Sequence, residues 1–441
     1  METALLNSEY SLENLLDHWQ ILTHEQRKEI FLSLGREEKE ELFLNLSSDY
    51  QSELFTEITL NDRRVLIRQL APDDIADLIQ NLDQEIQTIA LEYLDNTTLV
   101  EVKALMAYAE DEAGGLMNSR FARLRPEMTV EEAIRYLRAQ AKSHIETIYY
   151  AYVLDRSQKL LGVVSLRELF LATSEMTMQE IMNTDLVIIL QDQDQESISK
   201  TFSNHNFLAL PVVDDNNAMK GIITVDDVVE ILEEEATEDI QKLGGMEALG
   251  EPYLDIGLPS MIKKRAGWLM ALFIGEMFTA TAMSHYENDI KKAVVLALFI
   301  PLVISSGGNS GSQATTLIIR AMALGEVRIK DWWRVLSREL IAGLSLGLIL
   351  GSIGMIRILL WPGREILYGE HYLLVALTVS FSLVGIVLWG TLAGSMLPFL
   401  LRRLGLDPAT SSAPFVATLV DVTGLMIYFT VASFILKGIL L

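Results

Sequence analysis

The sequence predicts a multidomain membrane protein, with a soluble helical and α/β part followed by an all-helical membrane part. Residues 1–265 hold 50 acidic and 23 basic residues, a net charge of −27, whereas 266–441 hold 10 and 12, a net charge of +2. Residues 116–243 contain two stretches that repeat one plan of strands and helices. Five long apolar stretches fill the remainder. The charge asymmetry and the apolar runs together separate a solvated half from a half that spans a bilayer.

Residues 1–115 are predicted to form an α-helical superhelix of short amphipathic units. Apolar residues recur three and four apart in stretches such as "EQRKEIFLSLG" and "NDRRVLIRQLA", with a loose period of about 12 residues. In "APDDIADLIQNL", Pro72, Asp73 and Asp74 are typical of a helix start. The first residues are acidic and polar, so no cleavable signal peptide is expected.

Residues 116–243 carry an internal duplication. "GVVSLREL" begins at Gly162 and "GIITVDDV" begins at Gly221, each after a β-rich run, a polar turn and an upstream amphipathic helix. This repeated unit resembles a tandem pair of CBS domains, which commonly forms a regulatory module. In that family a hydroxyl and an acid after the second strand can hold an adenosine ribose. The resemblance places these groups at Ser165 with Glu168 and at Thr224 with Asp227. The usual acid in the family is Asp, whereas the first copy has Glu168. The resemblance therefore implies that a nucleotide site is better sought at Thr224 and Asp227.

The second copy ends in a run of acidic residues. "DDVVEILEEEATED", from Asp226 to Asp239, has eight acids in 14 residues and no basic residue. On a helix, like charges four residues apart repel one another, and a divalent cation would reverse that penalty. Magnesium keeps most of its water and therefore accepts loosely spaced carboxylates. The alternative is an ordinary solvated face.

Residues 244–265 are predicted to connect the soluble and membrane parts. Gly244 and Gly245 are typical of a hinge or helix stop, and Lys263, Lys264 and Arg265 precede the first apolar run. An amphipathic plug helix around residues 253–262 would lie along the membrane domain and transmit motion. A passive linker is the alternative.

Residues 266–441 contain five candidate spans. Hydropathy places them at 266–284, 293–324, 340–361, 372–401 and 413–441, each near or above the ~20 residues that cross a bilayer. With the N-terminus in the cytoplasm, ten basic residues fall on the cytoplasmic side and five on the other. This bias predicts a cytoplasmic N-terminus and a C-terminus outside.

Two of the spans carry unusual polar groups. The last contains Asp421 near its middle, and an ionisable group at that depth is a functional-site hypothesis by default. The second contains "PLVISSGGNSGSQ", where Pro301 and the glycines around Asn309 predict a polar break in the helix that lines a cation pathway. Tight packing of small residues without a pore is the alternative.

The motifs "PLVISSGGNSGSQ", "LRRLGLDPA" and "ATLVDVTGL", in order after a helical domain and a CBS-like pair, resemble the MgtE family of magnesium channels. The resemblance covers essentially the whole chain. It implies a homodimer, assembled through the membrane and CBS domains, in a bacterial inner membrane. It also implies domains at 1–115, 116–243, 244–265 (the plug helix) and 266–441.

The resemblance also implies site residues. Asp421 is the pore acid, supported by Asn309, and Asp407 lies near the cytoplasmic pore mouth. The implied magnesium sensors are acids of the run and two acids of the helical domain: Asp226, Asp227, Glu230, Glu235, Glu238, Asp239, Glu92 and Asp95. Glu230 departs mildly from the family, in which Asp is expected.

The primary functional hypothesis is a magnesium channel closed by the cytosolic magnesium that it admits, with ATP as a further candidate ligand. The alternative is a CBS-regulated, nucleotide-sensing transporter of another divalent cation or solute. An intramembrane aspartyl protease is disfavoured. Such an enzyme needs two carboxylates that share a proton, and besides Asp421 each chain offers only Glu276 as a deep acid. The acidic charge disfavours nucleic acid as a partner. The lack of cysteine excludes thiolate chemistry.

Overall fold

The protein is described here by a computed structural model that covers residues 12–109, 111–140, 147–250 and 252–439. The chain divides into two compact units at residues 235 and 236, and each is described by itself. The N-terminal residues on which the signal-peptide expectation rests are mostly outside the described ranges.

Residues 12–109 of the first unit contain eight short α-helices, and the predicted succession of short helices is confirmed. They are α1 Leu12–His18, α2 His24–Ser33, α3 Arg36–Leu44, α4 Ser48–Glu57, α5 Leu60–Leu66, α6 Pro72–Gln80, α7 Gln84–Glu92 and α8 Asn96–Leu105.

Local sequence explains where several of these helices begin. Thr23 caps α2 by accepting a hydrogen bond from the backbone N–H of Gln26, and Pro72 occupies the first turn of α6. Both residue types suit a helix start because the first N–H groups have no partner inside the helix. The apolar faces then bury large side chains such as Trp19 and Phe55.

The rest of this unit contains two three-stranded sheets with their helices. The first copy comprises α9 Ala113–Leu116, β1 Arg123–Leu124, α10 Val130–Gln140, β2 Tyr150–Leu154, β3 Leu160–Ser165 and α11 Leu166–Leu171. The second comprises α12 Met178–Ile181, β4 Ile189–Leu190, α13 Gln195–His205, β5 Ala209–Val213, β6 Met219–Thr224 and α14 Val225–Leu243.

The sheet topology confirms the duplication. Each sheet has a short strand parallel to the middle strand and a hairpin partner antiparallel to it. The hairpin turns are equivalent, because the Asp155 and Asp214 carboxylates each accept hydrogen bonds from two backbone N–H groups of their own turn. Gln158 and Asn217 both adopt positive φ there, at 63° and 62°.

The segment that opens each copy pairs with a strand of the other copy. Asn118, which opens the first copy, pairs with β6 of the second, and Asn183, which opens the second, pairs with β3 of the first. Gly221 permits the first of these approaches, since a Cβ there would lie 2.7 Å from the Asn118 carbonyl oxygen. One apolar core also runs from the helical domain into the second copy, so the helical domain packs on that copy.

The second unit contains the end of α14 and the membrane helices. These are α15 Leu258–His285, α16 Glu287–Lys292, α17 Ile300–Ala323, α18 Trp332–Leu359, α19 Arg364–Tyr368, α20 Tyr372–Arg403 and α21 Ala413–Leu436. Short 3-10 helices occupy Val294–Phe299, Ile329–Asp331 and Pro408–Thr410. Among the described residues, five segments are long and apolar enough to cross a membrane, as predicted: Leu258–His285, Val294–Ala323, Ile329–Leu359, Tyr372–Arg403 and Ala413–Leu436.

Small residues hold the membrane helices close together. Helices α17, α18 and α21 pack on α20, while α15 packs against α21. Glycines recur along α18 at Gly343, Gly347, Gly351 and Gly354, and a Cβ at Gly347 would lie 2.9 Å from the Val384 backbone. Across α17 and α20, Ser310 and Thr391 share a hydrogen bond of 2.6 Å between hydroxyl oxygens. Close backbone contact of this kind replaces the hydrophobic driving force that is absent in lipid.

Two expectations for this unit differ from the structure. The predicted break in the second span is wrong, because α17 is continuous through Asn309 and its glycines; the irregular 3-10 turn lies earlier, before Pro301. The glycines instead permit close packing, as at Gly311, where a Cβ would lie 2.8 Å from Val416. In place of a separate plug helix, the described part of 244–265 contains turns and then the first two turns of α15.

Candidate functional site

Asp421 lies half-buried on α21, next to the small residues of α17. A Cβ at Gly308 would be 3.4 Å from the Ala417 side chain and 3.6 Å from the Asp421 Oδ1 atom. The missing side chain at Gly308 therefore leaves space beside the carboxylate. Glu276 on α15 is close enough for the two negative charges to repel each other.

Helix α17 presents a polar face that the single chain leaves uncovered. Its exposed polar residues recur at helical spacing: Ser305, Asn309, Gln313 and Thr316. The Asn309 amide donates to the Ser305 hydroxyl at 3.4 Å. At membrane depth, such a face must contact protein or water rather than lipid. It adjoins Gly308 and so lies beside Asp421.

Asp407 lies in the segment between α20 and α21, where it caps the 3-10 helix by accepting from the Ala409 N–H at 2.8 Å. Its Oδ2 atom also accepts from the Lys242 ammonium at 2.8 Å. Lys242 is in the last turn of α14 and forms a second ion pair with Glu238. The two carboxylates outweigh burial and raise the pKa of Lys242, so its charge is retained.

Further contacts surround the start of α21. The Trp268 indole on α15 donates to the Ser412 hydroxyl at 3.2 Å, and that hydroxyl caps α21. Gly245 follows α14 with φ of 74°, and a Cβ there would lie 2.8 Å from Trp268 and 3.2 Å from Pro414. The end of α14 therefore rests against the start of the helix that carries Asp421.

In the first unit, carboxylates from three helices face one another; we call this set the acidic interface. It consists of Asp49 on α4, Asp74 on α6, and Asp226, Asp227, Glu230 and Glu234 on α14. Enclosure by neighbouring protein and repulsion by Glu230 and Asp226 raise the pKa of Asp74 to about 6. Burial likewise raises the pKa of Asp227 to about 6, although Thr224 donates to it. Burial and like charges also raise the pKa values of Glu230 and Glu234.

The Asp74, Glu230 and Glu234 side chains nevertheless remain open to water. Across the described ranges, no group of three or more histidine or acidic side chains is close enough to hold a bare metal ion. A hydrated cation is the species that fits widely spaced, water-accessible carboxylates.

The other predicted sensor acids have different surroundings. Glu235 accepts from the Gln195 amide at 2.7 Å, and Glu238 pairs with Lys242. Asp239 lies further along α14, beyond the residues of the first unit. Asp95 caps α8, where the Thr98 N–H and hydroxyl lower its pKa, and Glu92 is exposed near the end of α7. The structure does not bring Glu92 or Asp95 into the acidic interface.

Comparison with known proteins decides the family. Residues 300–431 match the model of the MgtE family, described as a divalent cation transporter, 10–111 match the MgtE intracellular N domain, and 113–175 and 178–234 match the CBS domain. The magnesium transporter MgtE of Thermus thermophilus is 43% identical over 79% of this chain and 75% of its own length. The magnesium transporter MgtE of Enterococcus faecalis is 33% identical over 76% of this chain and 72% of its own length. The chain belongs to the MgtE family of magnesium transporters.

A solved structure described as the cytosolic domain of the Mg²⁺ channel MgtE in complex with ATP is 37% identical to this chain. It covers 52% of this chain and 92% of its own, with a TM-score of 0.47. The family match confirms the expected fold class of an MgtE N-terminal domain, a CBS pair and a helical membrane domain.

Thr224 and Asp227, which this MgtE chain was predicted to use for a nucleotide, do not line the cavity at the CBS pair. Thr224 is buried, and its hydroxyl and N–H both donate to Asp227 at the start of α14. A cavity of about 410 Å³ lies instead at the first copy, lined by Tyr149, Ser165, Arg167 and Glu168 among others. Ser165 donates to Glu168 in the same way at the start of α11, so the two pairs differ in burial: Thr224 is buried, whereas Ser165 is partly exposed.

Sequence reasoning missed three groups of this MgtE chain. Asp49 and Asp74 looked like ordinary first-turn acids, which are common at helix N-termini. Lys242 follows the acidic run, and nothing in the neighbouring sequence indicates that it pairs with Asp407, 165 positions away. Only an expectation that α4, α6 and α14 face one another could have identified the two acids.

Proposed function

We propose that this member of the MgtE family is a magnesium channel of a bacterial cell membrane that closes when cytosolic magnesium binds its acidic interface. The observation that carries the proposal is the uncovered polar face of α17 beside Asp421. A polar face and a carboxylate at membrane depth need a watery pathway or a protein partner. A pore between two copies provides both.

In this proposal the channel is a homodimer and the two Asp421 carboxylates face each other across the pore. They hold magnesium through its water shell, since this ion dehydrates reluctantly. Asn309 and its polar neighbours line the approach. The N-terminus is cytoplasmic and the C-terminus outside, so Asp407 lies at the cytoplasmic mouth. The function is transport without catalysis.

The acidic interface supplies the sensor. Its carboxylates repel one another when no cation is bound, which weakens the packing of the helical domain on the second CBS copy. A hydrated divalent cation between them removes that repulsion. Because the ion binds the packed arrangement more tightly than the separated one, rising cytosolic magnesium shifts the population toward the packed form.

Helix α14 connects this sensor to the pore. It carries the acids Asp226 to Glu234 at one end and Lys242 at the other, where Lys242 pairs with Asp407 just before α21. Asp239 and Glu238 lie between these ends. In this proposal a shift of the last turn of α14 reaches the segment before the Asp421 helix through the Lys242–Asp407 ion pair.

Magnesium uptake into proteoliposomes tests the pore assignment. Asp421→Asn is expected to abolish uptake, since an amide lacks the charge that attracts the hydrated ion, while Asp421→Glu retains part of it. Asp289→Asn, which neutralises an acid of α16, serves as the matched control and retains normal uptake. Normal uptake by Asp421→Asn would overturn the assignment of the pore acid.

A second role, nucleotide binding, is favoured by the first-copy cavity. Its volume of about 410 Å³ is within the range of small-molecule sites. Tyr149 offers a ring for stacking, Arg167 a cation for phosphate, and Glu168 a carboxylate for ribose hydroxyls. We propose that ATP binds here as a modulator rather than at Thr224 and Asp227. Calorimetric titration with ATP tests this, and loss of binding in Asp227→Asn but not in Arg167→Gln would contradict it.

A further inference from the structure

A second cavity lies among the membrane helices, where Leu302 and Ser306 of α17 form part of its lining. It has a volume of about 500 Å³ and lies between the start of α17, the last turns of α18 and the middle of α20, closed by α19. Nearly all of its lining is apolar, including Leu298, Ile353 and Leu383. Gly354 lets α18 approach α20 closely at this point, since a Cβ there would lie 2.9 Å from the Leu383 side chain.

Ser306 and Arg357 are polar exceptions in this lining, and Arg357 is the charged one. Its guanidinium lies over the Trp361 ring, 3.7 Å from the ring centroid. Among the ion pairs of the described residues, none involves Arg357. The nearby Arg364, by contrast, donates to the Leu359 carbonyl and lies over the Tyr372 ring. Arg357 is thus an exposed cation, without a carboxylate partner, beside an apolar cavity.

The position of this cavity in the span limits what can fill it. Leu298 and Ile353 are 56% and 58% exposed, so the cavity is bordered by exposed apolar side chains of the spanning helices. Arginine and tryptophan near the end of a span are typical of the membrane–water boundary. A ligand here must offer an apolar chain to the cavity and an anion to Arg357.

We propose that this cavity binds an anionic phospholipid, with an acyl chain along the apolar lining and the headgroup phosphate paired with Arg357. Arginine suits this role because its planar guanidinium matches phosphate oxygens in two parallel hydrogen bonds. A second copy of the chain packed on the cavity would bury an unpaired guanidinium, which is unfavourable unless that copy supplies a carboxylate. The proposal does not depend on the ion that the chain transports.

Native mass spectrometry of the delipidated full-length protein, titrated with phosphatidylglycerol or phosphatidylcholine, tests the site. Arg357→Gln is expected to weaken phosphatidylglycerol binding by about tenfold, the value of one charged hydrogen bond, and to leave phosphatidylcholine binding unchanged. Arg338→Gln, at the other end of α18, is the matched control and retains both. Unchanged phosphatidylglycerol binding by Arg357→Gln would overturn the proposal.

Two further variants separate the acyl-chain contact from a protein contact. Ile353→Trp narrows the cavity from an exposed position, and we expect it to weaken binding of both lipids. Because the chain contains no cysteine, Ile353→Cys provides a single thiol for cross-linking in membranes. Disulfide-linked dimers through this thiol would show that a second copy covers the cavity, and would refute lipid as its occupant.

Discussion

Neutralising Asp74 should favour the packed cytosolic arrangement when magnesium is absent. Asp74 is held among Asp226, Glu230 and other acids, and its pKa is raised from 3.8 to about 6. Ionisation of the Asp74 carboxylate therefore destabilises the packed form. At neutral pH the carboxylate is ionised, and this destabilisation is fully present. Asp74→Asn removes the charge while keeping a side chain of similar size.

The size of the effect follows from the pKa. A rise of about two units corresponds to roughly 3 kcal/mol between the charged and neutral forms. Because the Asp74 side chain is open to water, screening reduces this toward the range of exposed pairs, and about 1 kcal/mol is the expected gain. The packed-to-separated ratio should therefore rise about fivefold.

Limited proteolysis of the full-length protein in detergent measures this ratio. Without magnesium, Asp74→Asn should be cleaved between the helical domain and the CBS pair about fivefold more slowly than the wild type. At saturating magnesium the two rates should converge, because the cation already screens the charge. Glu85→Gln, an exposed acid at the start of α7, serves as the control and should behave as wild type.

The pH dependence has a fixed sign. Since the pKa values of Asp74 and Asp227 are raised, the packed form binds protons more tightly than the separated one. Without magnesium, packing should strengthen as the pH falls below about 6 and should be weakest above it. Asp74→Asn should show a smaller pH effect. Cleavage of Asp74→Asn as fast as the wild type without magnesium would refute the repulsion argument.

Three further outcomes are expected. Lys242→Gln removes the cation that holds Asp407, so closure by internal magnesium should require a several-fold higher concentration in uptake assays, and an unchanged response would exclude this link. Gly347→Leu should lower stability by about 1–3 kcal/mol through overpacking against α20, seen as a lower melting temperature in detergent; Ser352→Leu, on the exposed side of α18, should not. Arg167→Gln should weaken ATP binding about tenfold by calorimetry, and full affinity would exclude the first-copy cavity.

Much of the fold could be predicted from the sequence because its signals are local. Helical periodicity, the repeated "GVVSLREL" and "GIITVDDV" segments, and five apolar runs each depend on neighbouring residues. The second span shows where local signals fail. Pro301 and the glycines around Asn309 weaken an isolated helix, but close packing against α20 and α21 compensates within the folded domain.

The candidate site likewise contains residues that local sequence identifies and residues that only tertiary contacts identify. Asp421 was evident as a candidate because a lone carboxylate in an apolar run is costly wherever the chain folds. The partners of the acidic run were not evident. Asp74 and Asp226 are 152 positions apart, and nothing in either segment indicates that they meet. Glu92 and Asp95 are acids of the same helical domain, but they do not lie in the acidic interface.

The sequence alone determined the order of the domains, the five spans and the acid within the last of them, since charge, periodicity and segment length are properties of contiguous residues. The tertiary structure decided which acids face each other, that Lys242 reaches Asp407, and that a cavity forms beside Ser165 and Glu168. These features depend on distances between remote segments. Such distances are set by the packing of the helical domain on the second copy and of the membrane helices on α20.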